Sequence, residues 1–288
     1  MNYLKEILTS KKSEIKSIES SVDYEIKSSG AQNAAEKVLK NQFDLKIFSK
    51  KRKNKSLIKN IKDGRVNIIA EIKKASPSRG LINPDLNISS TALLYDRYSS
   101  FICGISVITE PVYFKGSSDY LIEVKKVSEL PVLRKDFIFH RYQIYESAAK
   151  RADCILLICS ILGYKKLKDL YDFASEIGLE VLVEVHNENE FDKALKTGAN
   201  FVGINNRDLR TMKVNIDNTR QILKYSKNRK VSELILVCES GIEDINYIEE
   251  LYSMGINTFL MGSYFMKSRN LDDDLSRMEM QLAEKGMI

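Results

Sequence analysis

From Val66 onward, short β-branched apolar runs alternate with longer amphipathic segments, and this alternation restricts the fold more than any other feature. The strand-like runs are VNIIAEIK (Val66–Lys73), GISVIT (Gly104–Thr109), PVLRK (Pro131–Lys135), CILLI (Cys154–Ile158), EVLVEV (Glu180–Val185), FVGIN (Phe201–Asn205), LILVCE (Leu234–Glu239) and TFLMG (Thr258–Gly262). Helical patterns such as YLIEVKKVSEL, YQIYESAAKR, YKKLKDLYDFASEIG and INYIEELYSMG lie between them, and LDDDLSRMEMQLAE closes the series. Gly178, Gly198 and Gly255 stand where a helix C-cap precedes a strand. Strands alternating with helices specify parallel βαβ units. Eight units over roughly 220 residues predict an α/β fold of the closed (β/α)8 TIM-barrel type. An open doubly wound sheet is the competing architecture, but it usually has fewer strands, and no G-x-G-x-x-G follows the first one.

Residues 1–65 read as an N-terminal helical extension that packs on the barrel of residues 66–288, the two forming one structural unit. Leu4, Ile7, Leu8, Ile15 and Ile18 recur near helical spacing, and a second helical stretch is expected over Ala31–Leu39. The lysine-rich run KKRKNKSLIKNIK (Lys50–Lys62) lacks interleaved aromatics for base stacking and reads as a solvated face rather than a nucleic-acid site. With 288 residues there is no room for a second barrel, so a fused partner enzyme is not expected; a monomer or weak homodimer is. The net charge of +6 suits an anionic ligand but is too small to call for nucleic acid. No signal peptide is legible at the start, and the longest apolar run, near CILLICSIL, falls far short of the ~20 residues that span a bilayer. Cys103, Cys154, Cys159 and Cys238 each sit singly in apolar runs, as buried free thiols of a reducing cytoplasm would.

Parallel barrel strands are covered on both faces and should be wholly apolar, so charges within them are informative. Glu71 and Lys73 end the first run, Arg134 and Lys135 the third, and Glu184 the fifth; Asn205 ends the sixth with Arg207 just beyond, and Glu239 ends the seventh. All lie at carboxyl ends, where barrel active sites are built. Side chains alternate along a strand, so Glu71 and Lys73 share a side, while Arg134 and Lys135 must part; parity alone does not say which faces the mouth. Three carboxylates and two lysines in one bowl suit general acid–base chemistry. With 2 histidines in the chain, a His-rich metal site or a Ser-His-Asp triad has little to draw on. CESGIED (Cys238–Asp244) and MGSYFM (Met261–Met266) follow the last two strands, and their small residues let backbone N–H groups approach an anion; Ser240, Gly241, Gly262 and Ser263 are the phosphate candidates.

Taken together, IIAEIKKASPSRGLI (Ile68–Ile82), SVITEPVYFKGSSDYL (Ser106–Leu121), PVLRKDFIFHRYQIYES (Pro131–Ser147), ADCILLICSIL (Ala152–Leu162), VLVEVHNENE (Val181–Glu190), FVGINNRDLRT (Phe201–Thr211), VCESGI (Val237–Ile242) and FLMGS (Phe259–Ser263) resemble the indole-3-glycerol phosphate synthase family of tryptophan biosynthesis. The resemblance implies a lyase without cofactor or metal, closing, decarboxylating and dehydrating 1-(2-carboxyphenylamino)-1-deoxyribulose 5-phosphate. It implies that Lys135 is the general acid at the ribulose carbonyl, its pKa lowered by burial and by Lys73. Glu184 is implied in the proton transfers of dehydration, and Glu71, Lys73, Asn205 and Glu239 as the other catalytic or orienting groups. Ser76 and Arg207 are implied in the substrate site, Phe114, Phe137 and Leu157 in its apolar wall, and Ser240, Gly241, Gly262 and Ser263 in phosphate contacts. His140 and Arg141 depart from the family pattern at a loop-to-helix junction, and His186, two residues past Glu184, reads as an ordered loop or capping histidine. Two other readings remain open: a phosphate-binding isomerase or Schiff-base aldolase using Lys135 or Lys73, which borohydride would trap, and a barrel that binds nucleic acid through Lys50–Lys62, which salt-dependent binding would reveal.

Overall fold

The computed structural model describes residues 3–29, 55–227, 229 and 233–288. Eight parallel strands close into a barrel: β1 (Asn67–Ile72), β2 (Ile102–Ile108), β3 (Val132–Lys135), β4 (Cys154–Ile158), β5 (Glu180–Val185), β6 (Phe201–Asn205), β7 (Ile235–Glu239) and β8 (Thr258–Met261), with β1 bonded to both β2 and β8. Each predicted run holds a strand. The apolar residues divide by parity. One set, including Ile68, Ala70, Ile105, Val107, Ile155, Val183 and Phe259, packs under the surrounding helices; the other, including Ile69, Leu133, Leu156, Leu182 and Val237, fills the barrel. Helices start where side-chain oxygens accept orphan N–H groups, as at Asn87, Asn187, Asp244 and Asn270. The helix Glu188–Thr197 stops at Gly198, whose φ of 90° no β-carbon would favour. A four-residue helix, Ser263–Met266, follows β8 and was not legible as a separate element; the final helix is Leu271–Glu284. His140 caps the helix Arg141–Ala149 in a reciprocal box with Gln143.

The two described parts of the leader bind opposite ends of the barrel. Helix α1 (Tyr3–Ser29) lies at the mouth: Ile7 is fully buried, Lys11 is buried against Asp136 at 3.2 Å, and Tyr113 Oη donates to Glu6 at 3.2 Å. Helix α2 (Leu57–Asn60) lies at the other end, with Leu57 lodged inside the ring. Gly104 makes the room, since a β-carbon there would stand 2.4 Å from Leu57 Cδ1. Glu180, the first residue of β5, accepts from the Leu57 and Ile58 amides at 2.8 and 3.1 Å and from Ser56 Oγ. The described part of the Lys50–Lys62 run is therefore partly a plug, not the fully solvated face expected; an apolar side chain inside a closed ring outweighs the polarity of its neighbours. The stretch Ala31–Leu39 lies outside the described residues. Among the described residues no helix is long and apolar enough to cross a membrane.

Candidate active site

The strand parity that fills the barrel also aims polar side chains at its mouth. Successive inward positions are Glu71 and Lys73, Lys135 and Phe137, Asn205 and Arg207, and Glu239 and Gly241. Together with Glu184 they line a cavity of about 710 Å³ at the carboxyl ends. Phe114, Ser240, Gly262 and Ser263 are also in its wall. Two predicted residues are not. Leu157 faces outward into the layer beneath the helices, because its neighbours Leu156 and Ile158 take the inward parity and line the cavity instead. Ser76 belongs to a small hairpin, Ala75–Ser76 with Gly80–Leu81, beside the cavity rather than in its wall. Arg79, from that hairpin's turn, reaches the cavity in its place.

Lys135 is the hub. Its Nζ stands 2.8 Å from Glu239 Oε2 and 3.3 Å from Glu184 Oε2, while Lys73 pairs with Glu71 Oε1. Burial alone would lower the Lys135 pKa, but the charges of Glu239, Glu184 and Glu71 outweigh it and raise the value. This reverses the expected lowering: the second lysine is engaged by Glu71, and carboxylates are what Lys135 meets. The two carboxylates of the pair are driven apart. Burial pushes Glu239 up, and the charges of Glu184 and Glu71 keep it at about 7 despite Lys135. Burial also acts on Glu184, yet Lys135, His186 and Asn205 together hold its pKa below the usual range. Glu239 has the shorter contact with Lys135, but Glu184 has more partners, which accounts for the split.

Arg134 takes the opposite parity from Lys135. It is buried behind the strands, donating to Thr109 Oγ1, Ser147 Oγ and Asp136 at 3.0, 3.1 and 3.1 Å and pairing with Glu146 at 2.7 Å. Asp136 also accepts from the Phe137 amide at 2.8 Å, so the residues flanking Lys135 are fixed on both sides. Glu110, unremarked in the sequence, accepts from the amides of Val112, Tyr113 and Phe114 at 3.0, 2.7 and 3.0 Å and shapes the loop that carries Phe114 into the wall. Its signal was present: a lone acid just past an apolar run. Cys238 has outward parity, beside Thr219 and Asn206, and burial pushes its thiol up to about 11.

Two glycines make the site possible. A β-carbon at Gly203 would lie 2.0 Å from Glu239 Oε1, so the glycine lets that side chain cross β6. A β-carbon at Gly262 would lie 2.2 Å from Glu71 Oε1 and 2.9 Å from its Cβ. Gly262→Ala is therefore expected to displace Glu71 and, as overpacking, to cost about 1–3 kcal/mol in urea unfolding. Turnover should fall with it; unchanged stability and unchanged turnover would show that Glu71 has room to move. On the neighbouring strand end, next to Gly262, Ser240 and Gly241 both have left-handed backbone, with φ of 66° and 78°, which turns the chain sharply beside the cavity.

Ammonium and carboxylate groups interleaved on the strand ends of a closed barrel define a barrel enzyme of the acid–base type. A model of the indole-3-glycerol phosphate synthase family matches residues 4–278. A protein of that name from Endomicrobium trichonymphae is 42% identical over 233 residues, covering 81% of this chain and 88% of its own. Another, from Thermoanaerobacter pseudethanolicus, is 44% identical over 212 residues, covering 74% and 78%. The chain belongs to the indole-3-glycerol phosphate synthase family. Among solved structures, 3-hexulose-6-phosphate synthase from Salmonella typhimurium shares the barrel fold, with a TM-score of 0.58 at 12% identity over 76% of this chain and 99% of that one.

Proposed function

We propose that this chain converts 1-(2-carboxyphenylamino)-1-deoxyribulose 5-phosphate to indole-3-glycerol phosphate, carbon dioxide and water, a lyase step of tryptophan biosynthesis. The observation that carries the reading is the Lys135 ammonium held between Glu184 and Glu239 in a cavity with apolar residues on one side and glycine-bearing loops on the other. Relatives at 42% and 44% identity bear this enzyme's name.

Closing the ring requires the aromatic carbon that bears the carboxylate to attack the ribulose ketone. A proton must reach the carbonyl oxygen as the carbon–carbon bond forms. Lys135, kept charged by its carboxylates, is the donor. Loss of carbon dioxide then restores the aromatic ring. Dehydration needs a base to take a proton from the adjoining carbon and an acid to help hydroxide leave. Glu184, held ionised, is the base; Glu239, with its pKa near 7, is able to carry a proton at neutral pH and assists the exchange. Phe114, Phe137, Leu156 and Ile158 hold the aromatic ring against the ketone, which supplies the positioning contribution. Ser240, Gly241, Gly262 and Ser263 receive the phosphate; Lys73 and Arg207 add positive charge to the cavity, Glu71 orients Lys73, and Asn205 supports Glu184. Ser76 supports the turn that presents Arg79.

The test is indole fluorescence on adding the carboxyphenylamino sugar phosphate to the folded protein; absence of product would overturn the reading. A Schiff-base aldolase would need a neutral lysine nucleophile, which the carboxylates around Lys135 oppose, and borohydride with substrate should leave no adduct. We take the enzyme to act as a monomer or weak homodimer in the cytoplasm, as one unit of leader (1–65) and barrel (66–288), without nucleic acid or membrane; four free, buried cysteines agree with a reducing compartment.

A further inference from the structure

We propose that His186 is a positioning residue for Glu184: anchored by Glu190, it carries a positive charge against one carboxylate oxygen and leaves the other to Lys135. This rests on the assignment of Glu184 to proton transfer.

The local sequence makes the anchor. Asn187 caps the helix Glu188–Thr197, accepting from the Glu190 amide at 2.9 Å, which places the Glu190 carboxylate back over the residue before the cap. There it accepts from the His186 amide at 2.9 Å and stands 3.1 Å from His186 Nδ1. His186 also has the inward parity of Glu184, as Lys73 has that of Glu71. Its Nε2 therefore reaches 3.3 Å from Glu184 Oε1, at ion-pair distance though without a hydrogen bond's alignment. Glu184 Oε2 meets Lys135 Nζ at 3.3 Å, and Lys135 meets Glu239 at 2.8 Å. Five ionisable groups thus follow one another as Glu190, His186, Glu184, Lys135 and Glu239, with acid and base alternating.

A neutral imidazole has one N–H and cannot serve carboxylates at both nitrogens; the imidazolium can. Burial disfavours that charge, but Glu184 and Glu190 outweigh it and raise the His186 pKa to about 10 from 6.5. Asp208, Arg210 and Lys213, from the loop after β6, line a second, polar cavity of about 550 Å³ with His186 and complete its charged surroundings. The consequence for Glu184 is a cation at each oxygen, which fixes the plane of the carboxylate and keeps it ionised as a base. Because the folded value is raised, the stabilisation from this charge is whole below the unfolded pKa of 6.5 and is lost as pH climbs toward 10.

The chain has 2 histidines, so the ring nitrogens of His186 are directly observable by nitrogen-15 NMR of the full-length protein, with His140→Gln identifying the other set. The expected result is a doubly protonated His186 ring at pH 8 and a titration that moves down by at least one pH unit in Glu190→Gln. A neutral ring at pH 7 would overturn the proposal. In the indole assay, His186→Gln is expected to lower kcat about tenfold with KM within about twofold, and Glu190→Gln to bring the alkaline fall of kcat to lower pH. Loss of stability in both variants with kcat and its pH profile unmoved would reduce His186 to a structural support for the start of the helix. Indole from the wild type with normal kcat in His186→Gln would overturn this inference alone. No indole from the wild type would overturn the functional reading and this assignment with it, while the NMR titration still reports the charge.

Discussion

Lys135→Met lowers kcat for indole formation by about a hundredfold or more, the scale of losing a positioned general acid. Methionine keeps most of the side chain's length and removes the ammonium that touches both Glu184 and Glu239. Two buried carboxylates then face one another without the cation between them. Removing one member of a buried ion pair commonly costs a few kcal/mol, but a site able to take up a proton sheds most of that penalty. Glu239, with its pKa already at about 7, is the group that takes it, so the barrel is expected to stay folded and circular dichroism to match the wild type. Stopped-flow fluorescence of indole product separates the chemical step from release. A kcat within about threefold of wild type would remove Lys135 from the role of acid. The double variant Lys135→Met with Glu239→Gln, which has no proton to take up at position 239, guards against reading a charge imbalance as lost chemistry.

Leu57→Ala should produce the largest loss of stability, about 2–5 kcal/mol in urea unfolding. The side chain is fully buried among residues that fill the barrel, and the ring around it is closed by hydrogen bonds on every side. Such a site cannot collapse onto the vacated volume, which puts the cost toward the upper part of the range. The loss is expected to spare kcat, because α2 and the catalytic cavity occupy opposite ends of the strands. A change below about 1 kcal/mol would mean that α2 is not part of the cooperative unit. The paired measurement, a large stability effect without a rate effect here and the reverse at Lys135, tests the division between floor and mouth directly.

Much of the fold was legible because two periods do the work. Eight β-branched runs at near-regular spacing leave few ways to bury both faces of each strand, and a closed barrel is the one that needs no free edge. Polar residues interrupting those runs at their carboxyl ends marked Glu71, Lys135, Glu184, Asn205 and Glu239, since a charge is tolerated in such a strand only where it leaves the core. What parity could not supply was absolute phase. The resemblance puts Leu157 in the wall, yet a one-residue offset sends a side chain to the other face of the sheet, and Leu156 and Ile158 line the cavity. The same ambiguity leaves Arg134 and Lys135 equivalent in the sequence; the structure buries Arg134 behind the strands with Asp136 and Glu146.

Chain order by itself, then, determined the strands, their parallel closure and the end of the barrel where chemistry would collect, because these follow from local periodicity and from the cost of burying unpaired groups. Tertiary structure decided the sign of the Lys135 shift, the separation of Glu184 from Glu239 and the charge on His186. Those depend on which carboxylates stand within a few ångströms of which cation, and residues up to 104 positions apart in the chain meet there. Electrostatic interaction falls with distance through space and takes no account of distance along the chain.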